Sequence, residues 1–375
     1  MQKRIPGLYI HFPFCKTRCG YCDFYSITQM EFIPEYLVAL ERELGLYRDA
    51  FTRFDTVYLG GGTPSLLRPG QVGDILDAIR KAFVILPGAE ITCEVNPADL
   101  NREDLKHLHD LGINRLNIGV QSFDDGELVM LGRRHNRMQA VAAFEDARSA
   151  GFENIGLDLI YCLPGQSLSL WEENLRQALD LRPAHLSCYE LELKDHTPLG
   201  RRLAQGDITR PGEDDQRSFF LRTSEILEQD GYIHYEVSNF ALGMHHASRH
   251  NQKYWDHTPY LGLGPGAHSF DGARRWWNHA SLENYLGDLR EGRTPVAGSE
   301  ILDREALYSE TLLLGFRTRR GIDLKEIRRR FGRDLLSEHA QVLEGFSREG
   351  LITIENDFLR PTRAGMSVAD GLARL

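Results

Sequence analysis

Six short apolar runs, at residues 8–12, 56–59, 91–95, 115–120, 155–160 and 186–191, recur through the first half of the chain with amphipathic stretches between them. That alternation constrains the fold more than any other feature. Residues 35–48 show the intervening pattern, with Tyr36, Leu37, Leu40 and Leu44 at helical spacing and Pro34 near the helix start. Strand–helix units in series predict an α/β protein with a parallel sheet and right-handed crossovers. Six units fall short of the eight that close a barrel. Polar motifs follow the strand ends: Cys15 after the first, Gly60-Gly61-Gly62-Thr63-Pro64-Ser65 after the second, Asn96-Pro97 after the third and Gln121 after the fourth. Side chains gathered at the carboxyl ends of parallel strands form a ligand mouth.

Directly after the first run, Cys15, Cys19 and Cys22 are spaced CxxxCxxC on one short polar loop. Three thiolates suit three irons of a [4Fe-4S] cluster, because soft sulfur ligands hold such clusters. The fourth iron is then open to a small molecule. A zinc knuckle is the alternative, but zinc wants a fourth Cys or His nearby. The next cysteines, Cys93 and Cys162, lie far along in apolar runs, and Asp23 stands where covalent haem attachment through CxxCH needs His. Cys93, Cys162 and Cys188 read as small buried hydrophobes.

A chain of 375 residues, 42% hydrophobic, can bury a large core and a second, smaller one. The composition changes near Leu302, which predicts a main domain over 1–300 and a C-terminal domain over 301–375. In the latter, helical runs at 304–314, 324–331 and 335–349 precede a hairpin-like 351–354 and 358–360, the pattern of a small winged-helix-like α+β module. Arg317, Arg319, Arg320, Arg328, Arg329, Arg330 and Arg333 make it locally basic, a pattern that a solvated helix face explains without nucleic acid. The net charge of −10 also argues against a general nucleic-acid binder. Met1-Gln2-Lys3-Arg4 is not a secretory leader, and no apolar run reaches the roughly 18 residues that span a bilayer. A cytoplasmic, reducing location is expected.

With these motifs in view, the N-terminal two-thirds resembles the radical S-adenosylmethionine (radical SAM) proteins, and more closely the oxygen-independent coproporphyrinogen III dehydrogenase superfamily. The resemblance rests on Tyr9 ahead of the cysteine triad, Gly60-Gly61-Gly62-Thr63-Pro64, Glu94-Val95-Asn96-Pro97, Gly119-Val120-Gln121-Ser122-Phe123, Arg133, Asp158-Leu159-Ile160-Tyr161 and Leu163-Pro164-Gly165-Gln166. It implies a partial (β/α)6 barrel, with S-adenosylmethionine (SAM) chelating the open iron. It also implies SAM contacts at Tyr9, Gly61, Gly62, Thr63, Glu94, Gln121, Arg133 and Asp158. The chemistry is apt, since an arginine fork matches a carboxylate and side-chain acceptors match ribose hydroxyls. Each position also has a plain structural alternative: Asp158 as a helix cap, Arg133 paired with Asp124 or Asp125, Glu94 as a buried strand-end carboxylate.

The branch of the superfamily matters. The dehydrogenase branch carries a fourth cysteine two residues after the third, where this chain has Phe24. His250-Asn251-Gln252-Lys253-Tyr254-Trp255 is similar to the HNxxYW motif of the haem chaperone (HemW-type) branch. That resemblance implies haem bound through His250, with Tyr254 and Trp255 offering flat faces to the porphyrin, and transfer to an unidentified acceptor protein, whether membrane-associated or not. His245, His246 and His268 are competing ligands. A radical enzyme acting on coproporphyrinogen III or another tetrapyrrole is the alternative function. The motif's distance in sequence from the cysteine loop predicts that its substitution leaves the iron–sulfur absorption unchanged.

Overall fold

The computed structural model describes residues 4–375; the leader reading therefore rests mostly on residues outside those described. The six anticipated strands are β1 (Gly7–Phe12), β2 (Arg53–Gly61), β3 (Val84–Val95), β4 (Arg115–Gln121), β5 (Asn154–Tyr161) and β6 (His185–Glu190). They lie side by side in chain order, all parallel. Their residues explain this arrangement: Leu116, Ile118 and Val120 of β4 and Leu157 and Leu159 of β5 are almost wholly buried, as strands covered on both faces require. The helix predicted at 35–48 runs Ile33–Leu46, with Pro34 in its first turn.

The sheet is longer than six units imply. After β6 come β7 (Ile233–Glu236), β8 (Asn239–Ala241), β9 (Tyr260–Leu263), β10 (His268–Phe270), β11 (Arg274–Asn278) and β12 (Val296–Ile301). The strand order is β12-β11-β10-β9-β1-β2-β3-β4-β5-β6-β8-β7. β9 is parallel to β1, and the remaining additions are antiparallel. These strands are only three to six residues long and mostly antiparallel, so the parallel strand–helix alternation gave no sign of them.

The segment from Arg304 has its own core, built on Tyr308, Leu312, Phe316, Ile327 and Leu359. Helices Arg304–Phe316 and Leu324–Phe331 pack on a three-stranded antiparallel sheet of β13 (Ile322–Asp323), β15 (Phe358–Pro361) and β14 (Ile352–Glu355). The hairpin turns at Asn356 and Asp357, both left-handed, which matches the twist of the paired strands. The single helix expected at 335–349 is in fact two, Leu335–Glu338 and Ala340–Arg348, broken at His339. Most of the local arginines are spent on carboxylates, as Arg328 on Asp334 and Arg333 on Glu338.

Candidate functional site

The cysteine loop leaves the carboxyl end of β1 and is pinned at its base, where Cys15 N–H donates to Ile27 O (2.9 Å) and Ile27 N–H to Pro13 O (2.7 Å). Its middle is held by Gly20, whose N–H donates to Leu131 O (3.1 Å) and whose carbonyl accepts from Leu199 N–H (2.9 Å). All three cysteines are partly exposed and line one cavity of about 400 Å³. Gly61, Gly62, Thr63, Glu94, Gln121, Arg133 and Asp158 line it too. No three His, Cys, Asp or Glu side chains among the described residues converge on a single-ion site.

The strand ends explain how these groups arrive. Gly61 has φ 106°, and a Cβ there would sit 2.6 Å from His11 Nδ1; a Cβ on Gly62 would sit 2.7 Å from Phe14 O. The glycine run is therefore required by packing against β1 before any ligand is considered. Gln121 is left-handed (φ 71°) at a register shift in the β4–β5 ladder, a bulge that re-aims its side chain. Glu94 accepts from Tyr58 Oη–H (2.8 Å) and Gly61 N–H (3.1 Å), and burial pushes its carboxyl up to about 7.

Asp158 takes one hydrogen bond from Asn117 (2.5 Å), while its Oδ1 is buried without a partner; it caps no helix. Arg133 donates to Gly119 O (2.5 Å) and reaches Cys19 Sγ (3.5 Å) rather than Asp124 or Asp125, and its Nε is likewise unpartnered. An orphaned carboxylate oxygen and an orphaned guanidinium N–H in a cavity rimmed by three thiols fit a zwitterionic ligand beside a thiolate-held cluster. Tyr9 stands apart from this cavity, its hydroxyl 3.1 Å from His11 Nδ1. His11, a neutral ring pushed down to about 4 by burial, was not singled out from sequence, where nothing but its strand position marks it. Glu127 and Asn174 were missed for the same reason. They bind Ser122 Oγ at 2.5 and 2.9 Å and so brace the loop after Gln121. Cys93, Cys162 and Cys188 are buried, and burial pushes the first two thiols up to about 12.

The HNxxYW segment forms the helix Arg249–Trp255, and it does not present its histidine to solvent. His250 is 1% exposed. Its Nδ1 is 2.9 Å from Thr56 Oγ1 and its Nε2 2.8 Å from Tyr254 Oη, and burial pushes the ring down to about 3. In space the segment lies closer to the cluster site than its distance in sequence implies. The His250 ring centroid lies 5.2 Å from that of Tyr58, the residue that binds Glu94. Trp255 faces the other way, onto a second cavity of about 530 Å³ shared with the C-terminal module. His245 and His268 are exposed, and His246 lies against His245 with ring centroids 4.0 Å apart.

An open parallel sheet with a three-cysteine loop and glycine-rich strand ends at its mouth defines a radical SAM protein. Residues 9–178 match the radical SAM superfamily and residues 302–368 the HemN C-terminal domain. Membership of the superfamily implies a [4Fe-4S] cluster and SAM. Similar proteins include the heme chaperone HemW of Bacillus subtilis, 35% identical with 92% of each chain covered. The heme chaperone HemW of Mycobacterium tuberculosis is 36% identical, over 98% of this chain and 94% of that one. Among solved structures, coproporphyrinogen III oxidase (HemN) from Escherichia coli, described as a radical SAM enzyme, superposes with TM-score 0.85 at 25% identity. The overlap covers 99% of this chain and 89% of that one. The chain belongs to the HemW family.

Proposed function

We propose that this protein is a haem chaperone that binds haem and passes it to acceptor proteins, and that it carries a [4Fe-4S] cluster on Cys15, Cys19 and Cys22. The observation that carries the reading is the end-to-end likeness, at 35% identity, to chains named heme chaperone HemW. When bound, the cluster supplies one-electron chemistry and one open iron for SAM. Around it Arg133 would face the ligand's carboxylate, and Glu94, Gln121 and Asp158 its hydroxyls. The Gly61-Gly62-Thr63 backbone would lie along its amino group, with Tyr9 as support from below. The work is assigned to the cytoplasm; no helix among the described residues is long and apolar enough to cross a membrane. Residues 1–300 would form the main domain and 301–375 a module that follows it.

Haem ligation is assigned to His250, with Tyr254 and Trp255 beside the porphyrin. For Nε2 to reach iron, the buried ring has to give up the 2.8 Å bond with Tyr254, so loading would require the two side chains to move apart. Visible-light titration of the anaerobically reconstituted protein with haem tests this. The parent is expected to bind about one haem per chain, and His250→Ala to bind it far more weakly. Equal binding by the variant makes the histidine structural and moves the ligand to His245, His246 or His268. Iron content near four per chain, lost in Cys15→Ser, Cys19→Ser or Cys22→Ser and kept in Cys93→Ser, checks the cluster assignment.

A radical enzyme acting on coproporphyrinogen III is the second reading, favoured by the likeness to HemN. Phe24, 66% exposed at the cluster cavity where that branch has cysteine, speaks against it. No conversion of coproporphyrinogen III is expected with SAM and a strong reductant; turnover establishes the second reading.

A further inference from the structure

Two of the motifs that carry the family likeness hold residues that neither the cluster nor the SAM assignment uses: Ser122 in Gly119-Val120-Gln121-Ser122-Phe123 and Gln166 in Leu163-Pro164-Gly165-Gln166. In space both reach one carboxylate, Glu127, on the helix Asp125–Leu131. Gln166 Nε2–H donates to Glu127 Oε1 (2.8 Å), and Asn174 Nδ2–H, from the helix Leu168–Leu181, donates to Oε2 (3.2 Å). Ser122 Oγ–H is the third donor, 2.5 Å from Oε2. All four side chains are buried, and every buried polar atom among them has a partner. Burial raises the Glu127 carboxyl, and its three donors oppose that rise. Charge-assisted hydrogen bonds from three directions fix where the carboxylate stands.

The four side chains stand outside the lining of the cysteine cavity, so they act on it through their neighbours. Ser122 follows Gln121, whose backbone is left-handed (φ 71°), and Leu163, whose N–H lies 3.4 Å from Gln166 Oε1, follows Cys162, also left-handed (φ 60°). Residues other than glycine keep that conformation only where their surroundings impose it. Asn174 Oδ1 accepts from Phe123 N–H (2.5 Å) and Ser122 Oγ from Asp124 N–H (2.9 Å), which fixes the turn after Gln121. The helix that bears Glu127 ends at left-handed Gly132, where Arg133 N–H closes on Leu128 O (2.9 Å). Its Leu131 O accepts from Gly20 N–H in the cysteine loop. One carboxylate therefore ties the ends of β4 and β5 to the helix that sets Arg133.

We propose that Glu127 is a positioning residue for SAM: held by Ser122, Gln166 and Asn174, it aims Gln121 at the ligand's ribose and Arg133 at its carboxylate. The assignment rests on the SAM contacts proposed above and adds the groups that aim them. Donor sense makes the role specific. In Glu127→Gln one accepting oxygen becomes an NH2 donor. Turned toward Gln166 or Asn174, it meets the NH2 of that side chain; flipping either partner turns its own NH2 onto Leu163 N–H or Phe123 N–H. Every arrangement leaves two buried donors face to face. Exchanging both residues removes the conflict. In Glu127→Gln/Gln166→Glu the new amide donates to the carboxylate at position 166, while its oxygen still accepts from Ser122 and Asn174.

The test is equilibrium binding of labelled SAM to the anaerobically reconstituted full chain. Glu127→Gln is expected to bind SAM about tenfold more weakly than the parent, with iron content and circular dichroism unchanged. The double exchange is expected to recover most of that loss, a rescue that general loosening of the core would not allow. In a Gln121→Ala background the further loss from Glu127→Gln is expected to be about threefold or less, because one of the groups it aims is gone. If Glu127→Gln does not fold or hold its cluster, Ser122→Ala, which removes one donor and keeps the carboxylate, is measured against the same Gln121→Ala background with the same expectation. SAM binding by the variant as tight as the parent's, a loss that the double exchange does not recover, or a loss that adds in full to that of Gln121→Ala overturns the positioning role and leaves the SAM reading standing. No binding of SAM by the parent overturns both.

Discussion

Glu94 shows how one residue serves fold and site at opposing costs. Burial is the main cause of its raised carboxyl, about 7 against an ordinary 4.5, and neighbouring Asp158 adds to it; the Tyr58 hydroxyl and Gly61 N–H oppose. Between these two values the unfolded chain gives up a proton that the folded chain keeps. The stability Glu94 contributes is therefore complete below about 4.5 and lost as pH rises through about 7. Glu94→Gln is expected to match the parent at pH 5 and to exceed it by on the order of 2 kcal/mol at pH 8, read as the difference in Tm between the two cluster-free proteins. The same change is expected to weaken SAM binding, because one of the two accepting carboxylate oxygens becomes an NH2 donor. A stability difference that is flat from pH 5 to 8 would show that the carboxylate is ionised throughout.

At the scale of elements, the seven-residue helix Arg249–Trp255 is too short to hold itself. Ser248 caps it by accepting from Asn251 N–H, and the Glu90 carboxylate on β3 accepts from Arg249 N–H (3.0 Å) and His250 N–H (2.9 Å). Glu90→Ala is expected to cost about 1–2 kcal/mol and to speed amide hydrogen exchange across residues 249–255 well beyond that of β2 and β3. Uniform exchange across all three elements would mean that the helix opens only with the whole domain. Elements with a strong period were legible from sequence: β4, expected at 115–120, is Arg115–Gln121, and Leu324–Phe331 is as expected. The break at His339 was not, because no Gly or Pro marks it.

Across the whole molecule, the C-terminal module is tied to the sheet at β7. Arg319 N–H donates to Tyr235 O (3.0 Å) and Val237 N–H to Arg317 O (2.8 Å), while Glu228 receives both Arg319 and Arg363. Further ties run from Arg275 and His257 to Glu310 and from Arg4 to Glu326, so Glu228 is one of several side-chain anchors of the joint. Glu228→Ala, which removes both ion pairs, is expected to cost about 1 kcal/mol and to quicken tryptic cleavage between the main domain and the module. Unchanged cleavage would place the stability of the joint in its other ion pairs, backbone bonds and apolar contacts instead.

The amino-acid sequence by itself determined the parallel core and the cysteine loop, because hydrophobic period and ligand spacing are local properties that a linear chain displays. Only the tertiary structure decided which groups meet. It turned His250 inward beside Tyr58 and Trp255 outward to the module, and left Asp158 and Arg133 with unpartnered atoms in one cavity. Such facts depend on residues far apart in the chain, such as Thr56 and His250 or Trp255 and Arg330, whose proximity is fixed by strand order and domain packing.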